Sequence, residues 1–259
     1  MAHHLLIQFS DVHLSVGGEL APGVDPDANL ARALVLLEEE GVAPDVVLCT
    51  GDLANEGEES SYRAFAAALL ASPATAGATI VFVPGNHDRR GSFRTALLGE
   101  GPGEGPINQV VWHDGLRIVA LDSTVPGADH GHLAPETLAF LTDALRAPAP
   151  EGTLVVLHHP PSPSPIAPMA QLRLDNPGDL ERAVAGADVR TIICGHYHHA
   201  AAGSLGKIPV WMSPSTAFLG DTSVVDEFRL VPGGALTRLD VHESEVVATV
   251  VTLAIAPCP

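Results

Sequence analysis

The sequence predicts an α/β protein, and two regularities carry that prediction. Short runs of aliphatic and β-branched residues recur along the chain, and each run ends in turn-forming residues. Such runs, without polar alternation, are typical of strands that are buried on both faces of a sheet. The segments between them carry leucine and aromatic residues at helical spacing. Alternation of strands and helices places the helices over the faces of a largely parallel sheet.

Six apolar runs are the candidate strands. They are LLIQFS (5–10), VVLC (46–49), TIVFV (79–83), LRIVAL (116–121), TLVVL (153–157) and TIIC (191–194). No apolar stretch in the sequence approaches the roughly 20 residues that a membrane-spanning helix needs. We therefore expect no membrane span.

Three segments predict helices. Residues 27–40 place their leucines on one stripe and stop before Gly41, a residue that suits a helix C-terminus. Residues 58–70 carry a second apolar stripe. Residues 135–146 carry a third, which begins with Pro135, and proline is favoured in the first turn of a helix.

Beyond Gly203 the pattern changes to short strands separated by glycine turns, namely IPVWMS, SVVDEFRLV, ALTRLDVHES and EVVATVVTL. The PGG sequence at 232–234 predicts a hairpin between the second and third of these strands. No low-complexity linker interrupts the chain. We therefore expect a single domain over residues 1–259, with the β-rich segment 204–259 as part of it.

Charge and cysteine content exclude several classes of function. The chain has 31 acidic and 13 basic residues and a formal net charge of −18, which opposes binding to DNA or RNA. Its three cysteines are widely spaced and do not form a disulfide framework. The N-terminal sequence MAHHLLIQFSD has neither a basic region nor a cleavage signal. These features indicate a soluble, acidic, cytoplasmic protein that does not bind nucleic acid.

Polar residues cluster directly after five of the predicted strands. The C-terminal edge of parallel strands is where open α/β sheets build their sites. Each group alone also fits a solvated turn or a polar cap, but five such groups at strand ends favour one shared site. The groups are Asp11-Val12-His13, Gly51-Asp52, Gly85-Asn86-His87-Asp88, His158-His159 and Gly195-His196-Tyr197-His198.

The donor types in these groups indicate metal ions. Carboxylate, amide and imidazole donors without thiolate suit manganese, iron or zinc. If two ions share the cluster, one carboxylate must bridge them, and Asp52 is the natural candidate. Asn86 supplies a neutral oxygen, which limits the ligand charge and keeps the ions electrophilic. We expect a local kink to let His196 and His198 serve different ions.

The motifs D-x-H, GD, GNHD, H and GHxH, which span residues 11–198 in this order, resemble those of the calcineurin-like metallophosphoesterase superfamily. The surrounding sequences GNHDRR, DGLRIVALDSTVPG, LHHPP and GHYHHA are similar to those of bacterial class III cyclic nucleotide phosphodiesterases. The resemblance implies a metallophosphoesterase fold, which is a four-layer αββα sandwich with a dimetal centre at the sheet edges.

The resemblance also assigns ligands to two transition-metal ions, with manganese or iron favoured and zinc as the alternative. One ion takes a carboxylate pair and two imidazoles, and the other takes the shared carboxylate, an amide and two imidazoles. The first set is Asp11, His13, Asp52 and His198, and the second is Asp52, Asn86, His158 and His196.

Further residues receive roles from the same resemblance. His87 faces the phosphate as the candidate general acid, Asp88 orients it, and Asn86 stabilises charge on the phosphate oxygens. His159 either supports the ligands or faces the substrate. His130 is either a substrate-side residue or a solvated loop histidine.

The function implied is hydrolysis of a cyclic nucleotide, with 3′,5′-cyclic AMP favoured, through attack by a hydroxide generated at the metal pair. The alternative enzyme is a broader phosphodiesterase for 2′,3′-cyclic nucleotides, glycerophosphodiesters or aryl diesters. The alternative outside catalysis is a silent scaffold, which the complete set of motif residues disfavours. The oligomeric state stays open, although a homodimer is common among the proteins that the sequence resembles.

Overall fold

The structure is a computed structural model that describes residues 3–15 and 18–253. Two β-sheets lie face to face, and helices cover the outer face of each sheet, so that the order of layers is α–β–β–α. Both the α/β class and the four-layer sandwich are therefore confirmed.

The strands divide between two large sheets and a small one. They are β1 (His4–Phe9), β2 (Val46–Thr50), β3 (Thr79–Val83), β4 (Gln109–His113), β5 (Leu116–Leu121), β6 (Thr153–Leu157), β7 (Val189–Cys194), β8 (Ala201–Leu205), β9 (Ile208–Met212), β10 (Phe218–Gly220), β11 (Leu230–Pro232), β12 (Gly234–Val241) and β13 (Val246–Leu253). The first sheet has the order β13-β12-β1-β2-β3, the second has the order β4-β5-β6-β7-β9-β8, and β10 pairs with β11.

The helices lie on the outer faces of the sheets. They are α1 (Pro26–Glu39), α2 (Glu59–Ala71), α3 (Arg90–Phe93, continued by a π turn to Leu98), α4 (Pro135–Ala144), α5 (Ala167–Ala170) and α6 (Pro177–Val184). Helix α1 begins after Asp25, whose carboxylate accepts a hydrogen bond from the amide of Ala28 at 3.0 Å. No helix within the described ranges is long and apolar enough to cross a bilayer.

Alternate residues of each central strand face different apolar layers. Leu6 of β1 packs between the two sheets, whereas its neighbour Ile7 packs under α1 and α2. In β2, Val46 likewise packs between the two sheets, and Val47 packs under the helices. Since both faces of these strands are buried, apolar residues follow one another without polar alternation, which is why the runs are readable in the sequence.

The structure departs from the predictions in detail. Strands β4, β8 and β10 and helices α3, α5 and α6 have no counterpart among the predicted elements. The strand predicted for SVVDEFRLV is wrong except at its end, since only Leu230–Pro232 is extended, and it pairs with β10. The predicted PGG hairpin is also wrong, because β12 pairs with β1 and β13 and its turn lies at 242–245. A Cβ on Gly234 would lie 2.1 Å from the carbonyl oxygen of Thr216, so this glycine permits close packing between two segments.

The strand order also bears on domain organisation. Strand β12 pairs directly with the N-terminal strand β1, from His4 opposite Val241 to Gln8 opposite Thr237. The β-rich C-terminal segment therefore shares a sheet with the start of the chain. On this basis we propose that residues 1–259 form one domain.

Candidate dimetal centre

The five polar groups meet at one edge of the sandwich. Strands β1, β2 and β3 of the first sheet and β6 and β7 of the second all end at this edge. The two sheets are joined here by hydrogen bonds from the amide of His196 to the carboxylate of Asp11, at 3.0 and 3.1 Å. Within the second sheet, the amide of Gly195 donates to the carbonyl of His158 at 3.0 Å. The ligand loops therefore hold one another in place.

The first set of predicted ligands forms one compact group. One donor atom from each of Asp11, His13, Asp52 and His198 lies within 4.8 Å of the others, and all four residues are buried. Nε2 of His198 lies 3.4 Å from Oδ1 of Asp11, and Nε2 of His13 lies 3.8 Å from Oδ2 of Asp52. The separations suit four donors around one ion rather than direct hydrogen bonds.

The second set converges on Nε2 of His158. This atom lies 3.4 Å from Oδ2 of Asp52, 3.2 Å from Oδ1 of Asn86 and 3.2 Å from Nδ1 of His196. Nδ1 of His158 donates to the carbonyl of Thr50 at 2.8 Å, which leaves the lone pair on Nε2 for an ion. Asp52 contributes to both groups, as expected for a bridging carboxylate.

Backbone strain is concentrated on the candidate ligands. Among the described residues, six residues other than glycine have positive φ, and five of these are candidate ligands: Asp11, His13, Asp52, His196 and His198, at 48–73°. Aspartate and histidine tolerate this region only moderately well, at a cost of about 1–3 kcal/mol each. Positive φ at both histidines of GHYH kinks the backbone there, so that His196 joins one candidate ligand set and His198 joins the other.

Glycines at three strand ends make the close packing of the loops feasible. A Cβ on Gly51 would lie 2.3 Å from Nδ1 of His158, and one on Gly85 would lie 2.2 Å from Oδ1 of Asp52. A Cβ on Gly195 would lie 2.0 Å from the hydroxyl of Ser10. Any side chain at these positions would displace a ligand or its support.

The electrostatics of the cluster keep most imidazoles neutral. Burial lowers the pKa of His13 to about 4 and that of His196 to about 3. Burial, together with the neighbouring Asp52, raises the pKa of the Asp11 carboxyl to about 7. Burial opposes protonation of His158 as well, but the Asp52 and Asp11 carboxylates outweigh it and raise the pKa to about 9.

These features fit a pair of metal ions. Neutral imidazoles and two buried carboxylates offer lone pairs that point toward one another, and the described residues place no Lys or Arg side chain among them. Buried charge of this kind needs a counter-ion. Oxygen and nitrogen donors without thiolate are the ligands that manganese, iron and zinc accept.

His87 lies at the rim of this cluster. Its backbone amide donates to Oδ1 of Asp52 at 2.9 Å, and its Nδ1 donates to the carbonyl of Asn55 at 2.8 Å. Nε2 is therefore the ring nitrogen that is free for a substrate. Burial opposes protonation of this ring, but Asp52, the Asn55 carbonyl and Asp88 hold its pKa above the ordinary value.

The Asp88 carboxylate has different partners from those expected. It accepts hydrogen bonds from the amides of Gly85 (2.8 Å) and Leu53 (3.1 Å) and from the hydroxyl of Tyr62 (2.9 Å). It therefore ties the loop after β2 to the loop after β3, while the Asn55 carbonyl orients the His87 ring. Asp88 can act on His87 only through the position of these loops and through its charge.

The two remaining predicted residues lie outside the cavity that contains the ligands. His159 is fully buried, its Nδ1 lies 2.8 Å from the Ser123 hydroxyl, and it groups with His158 and His196. Of the two roles predicted for His159, the structure favours support of the ligands. His130 is half-exposed, with Nε2 4.0 Å from Oδ2 of Asp175, and is not among the residues that line either cavity next to His87.

Two cavities meet at Asn55, Asn86, His87 and Asp129. One has a volume of about 370 Å³, is lined by five of the seven ligand candidates and is completed by apolar residues, which are Met169, Leu172, Phe218 and Phe228. The other, of about 620 Å³, is polar. Asn55, Asp129 and the two phenylalanines have no signal in the sequence, because none of them belongs to a metal-ligand motif.

Fold and site together define a metal-dependent hydrolase of phosphate esters. A model of the calcineurin-like phosphoesterase family matches residues 4–200. The chain belongs to this family, which confirms the resemblance seen in the sequence, and it is therefore a metallophosphoesterase.

Several bacterial phosphodiesterases are similar to this chain over most of its length. The chain is 39% identical over 223 residues to a cAMP/cGMP dual specificity phosphodiesterase of Mycobacterium tuberculosis, covering 85% of this chain and 70% of that protein. It is 37% identical over 223 residues to a probable cyclic nucleotide phosphodiesterase of Rhodococcus erythropolis, covering 85% and 73%. It is 33% identical over 196 residues to the 3′,5′-cyclic adenosine monophosphate phosphodiesterase CpdA of Escherichia coli, covering 74% and 69%.

Solved structures share the fold at low sequence identity. A purple acid phosphatase from yellow lupin matches with a TM-score of 0.65 at 15% identity, over 97% of this chain and 52% of that one. A dimetal phosphatase from Danio rerio matches with a TM-score of 0.61 at 13% identity, over 97% and 99%. These similarities extend to the fold alone.

Metal binding is expected to stabilise the fold strongly. Two ions at concentrations about 1,000-fold above their dissociation constants would each add about 4 kcal/mol to the free energy of unfolding. The Tm of manganese-loaded protein should therefore exceed that of chelated protein by about 10 °C or more. Scanning calorimetry measures the difference, and Asp11→Asn should remove about half of it, because Asp11 belongs to only one of the two ligand sets. Equal Tm values with and without manganese would contradict a preformed ligand cluster.

Metal binding is also expected to release protons, in increasing number as the pH falls. In the metal-free fold the raised pKa values of Asp11 (about 7) and His158 (about 9) keep protons on ligands that an ion must displace. We expect about one proton per chain at pH 8 and more at pH 6, together with weaker binding at pH 6. Calorimetric titration with manganese in buffers of different ionisation enthalpy counts these protons. Release that declines toward pH 6 would instead indicate ionisation of bound water.

Proposed function

We propose that this protein is a cyclic nucleotide phosphodiesterase, with 3′,5′-cyclic AMP as the favoured substrate. The observation that carries the proposal is the convergence of two ligand groups on one shared carboxylate, Asp52, beside a histidine with a free ring nitrogen. The printed names of the relatives, which are cyclic nucleotide phosphodiesterases at 33–39% identity, support the choice of substrate.

The ligands we propose are those predicted from the sequence. Asp11, His13, Asp52 and His198 would hold one ion, and Asp52, Asn86, His158 and His196 the other. Manganese or iron is the favoured identity, and zinc is the alternative. Two such ions, when bound, supply Lewis-acid activation of water and neutralise the phosphate charge.

The residues of this chain perform the remaining steps. The amide nitrogen of Asn86 donates a hydrogen bond to a non-bridging oxygen of the phosphate, where negative charge grows in the transition state. Nε2 of His87 gives its proton to the departing alkoxide, while Nδ1 donates to the Asn55 carbonyl and fixes the ring. The neighbouring Asp52, the Asn55 carbonyl and Asp88 raise the pKa of His87, which favours the protonated ring that this step needs.

A hydrolysis screen tests the proposal. Metal-stripped protein with manganese, iron or zinc added back should hydrolyse 3′,5′-cyclic AMP more efficiently, by kcat/KM, than 2′,3′-cyclic AMP, glycerophosphodiesters or bis(p-nitrophenyl) phosphate. A reversed order would identify a broader phosphodiesterase. Lack of hydrolysis of every diester would identify a silent scaffold. Cytoplasmic localisation and homodimer formation stay predictions from the sequence.

A further inference from the structure

The cavity beside the ligand candidates has a lining of two unlike kinds. Histidine, carboxylate and amide side chains form the polar part of its lining, and Met169, Leu172, Phe218 and Phe228 form the apolar part. The two phenylalanine rings are only half-buried, and both line the cavity. Apolar surface left open beside an ionic centre is unfavourable in water and becomes favourable when a flat apolar group covers it.

The rings are arranged as a wall beside the ligands. The centroid of Phe218 lies 4.3 Å from that of His198, and the centroid of Phe228 lies 5.8 Å from that of His198. The two phenylalanine centroids are 6.4 Å apart, and their planes make an angle of 71°. Phe218 packs against the candidate ligand His198, whereas Phe228 lies further from it and leaves more space for a ring.

The wall is fixed by the same loops that carry the ligands. The amide of Gly220 donates to the carbonyl of His198 at 2.9 Å, and the amide of Ala217 donates to the carbonyl of Asp11 at 3.3 Å. A Cβ on Gly220 would lie 3.0 Å from Cε2 of Phe228, so the glycine leaves room for the ring. The wall is therefore positioned before any substrate binds, which lowers the entropic cost of binding.

We propose that Phe218 and Phe228 form the nucleobase-binding wall of this site, with the base stacked on Phe228 and the phosphate at the metal ligands. The proposal rests on the proposed function and adds to it the part of the site that recognises the base. Stacking reads the face of a base rather than its hydrogen-bonding edge, and every base has such a face. The wall should therefore accept adenine and guanine alike.

The neighbouring polar cavity is a poorer place for a base. None of the described residues that line it is Phe, Tyr or Trp. Its Arg90 is already engaged, with Nε donating to Asp122 at 2.8 Å and other guanidinium nitrogens donating to the carbonyls of Glu104 and Thr124. The aromatic side of the site thus provides the better surface for stacking.

The experiment compares AMP with ribose 5-phosphate, which lacks only the base. Both are titrated by calorimetry into the metal-loaded full chain. Wild-type protein should bind AMP about tenfold more tightly than ribose 5-phosphate, and GMP with a similar preference. Phe228→Ala should reduce the ratio of the two dissociation constants to near one, and Phe228→Trp should restore it. Phe140→Ala removes a half-buried phenylalanine outside both cavities and should keep the wild-type ratio.

Two results would overturn the proposal. One is equal binding of AMP and ribose 5-phosphate by the wild-type protein. The other is loss of affinity for both ligands by the same factor in Phe228→Ala at full metal content, which would mean that the ring only shields the ligands from water. Turnover of bis(p-nitrophenyl) phosphate separates this inference from the proposed function. If turnover persists without a preference for AMP, only the wall is refuted, whereas absence of all diester hydrolysis refutes the phosphodiesterase itself.

Discussion

Asp52→Asn is expected to lower kcat/KM for phosphodiester hydrolysis by more than about 100-fold. Oδ2 of Asp52 lies 3.4 Å from Nε2 of His158 and 3.8 Å from Nε2 of His13, so this carboxylate borders both ligand groups. Mutation of a residue that merely supports a metal ligand typically lowers metal affinity or activity by 10- to 100-fold. Mutation of a ligand shared by two ions should lower activity by more than this. The amide of asparagine lacks the negative charge that a bridging ligand needs.

Metal content distinguishes this effect from loss of fold. Asp52→Asn should bind fewer than two ions per chain at limiting manganese while its far-ultraviolet circular dichroism matches the wild type. Asp143→Asn, on an exposed helix position, is the matched control and should retain both ions and activity. Full activity of Asp52→Asn at limiting metal would refute the shared-ligand assignment.

His87→Ala is expected to affect two substrates very differently. A ribose alkoxide is a poor leaving group and needs a proton, whereas nitrophenolate leaves without one. General acid catalysis contributes about 10²- to 10⁴-fold. The loss in kcat should therefore approach that range with 3′,5′-cyclic AMP and be much smaller with bis(p-nitrophenyl) phosphate. His242→Ala removes an imidazole that lines neither cavity and should leave both rates near the wild type.

The ratio of the losses in kcat with the two substrates distinguishes a proton donor from a phosphate-binding group. Equal losses at full metal occupancy would remove the proton-donor role and leave His87 as a phosphate-binding group. The structure favours unequal losses, because the Asn55 carbonyl fixes the ring and leaves Nε2 free.

Local patterns in the sequence predicted the α/β class and the polar groups of the site, whereas the four-layer sandwich was implied by the family resemblance. Central strands buried on two faces are largely apolar, as in TLVVL, which the structure places at β6 with the same bounds. Parallel strands then bring their C-terminal ends to one edge, so Asp11, Asp52 and His196 meet although they are far apart in the chain.

Other parts of the site depend on contacts that no local pattern reveals. The orientation of His87 depends on the main-chain carbonyl of Asn55, which any residue could supply. The Tyr62 hydroxyl reaches Asp88 from helix α2, and Phe218 reaches the ligands because β12 pairs with β1 and draws the preceding segment to the site. Pairing of β12 with β1 also explains why the PGG hairpin fails, since strand partners are set by the whole sheet rather than by a turn sequence.

The most direct test of a two-ion phosphodiesterase is to measure its activity as a function of the number of metal ions bound per chain. Metal-stripped protein is titrated with manganese while bound metal and hydrolysis of 3′,5′-cyclic AMP are measured on the same samples. Activity should stay low until the first ion is bound and reach its maximum at two ions per chain. Maximal hydrolysis at one ion per chain, or hydrolysis that persists in chelator, would contradict a centre in which Asp52 joins two ions.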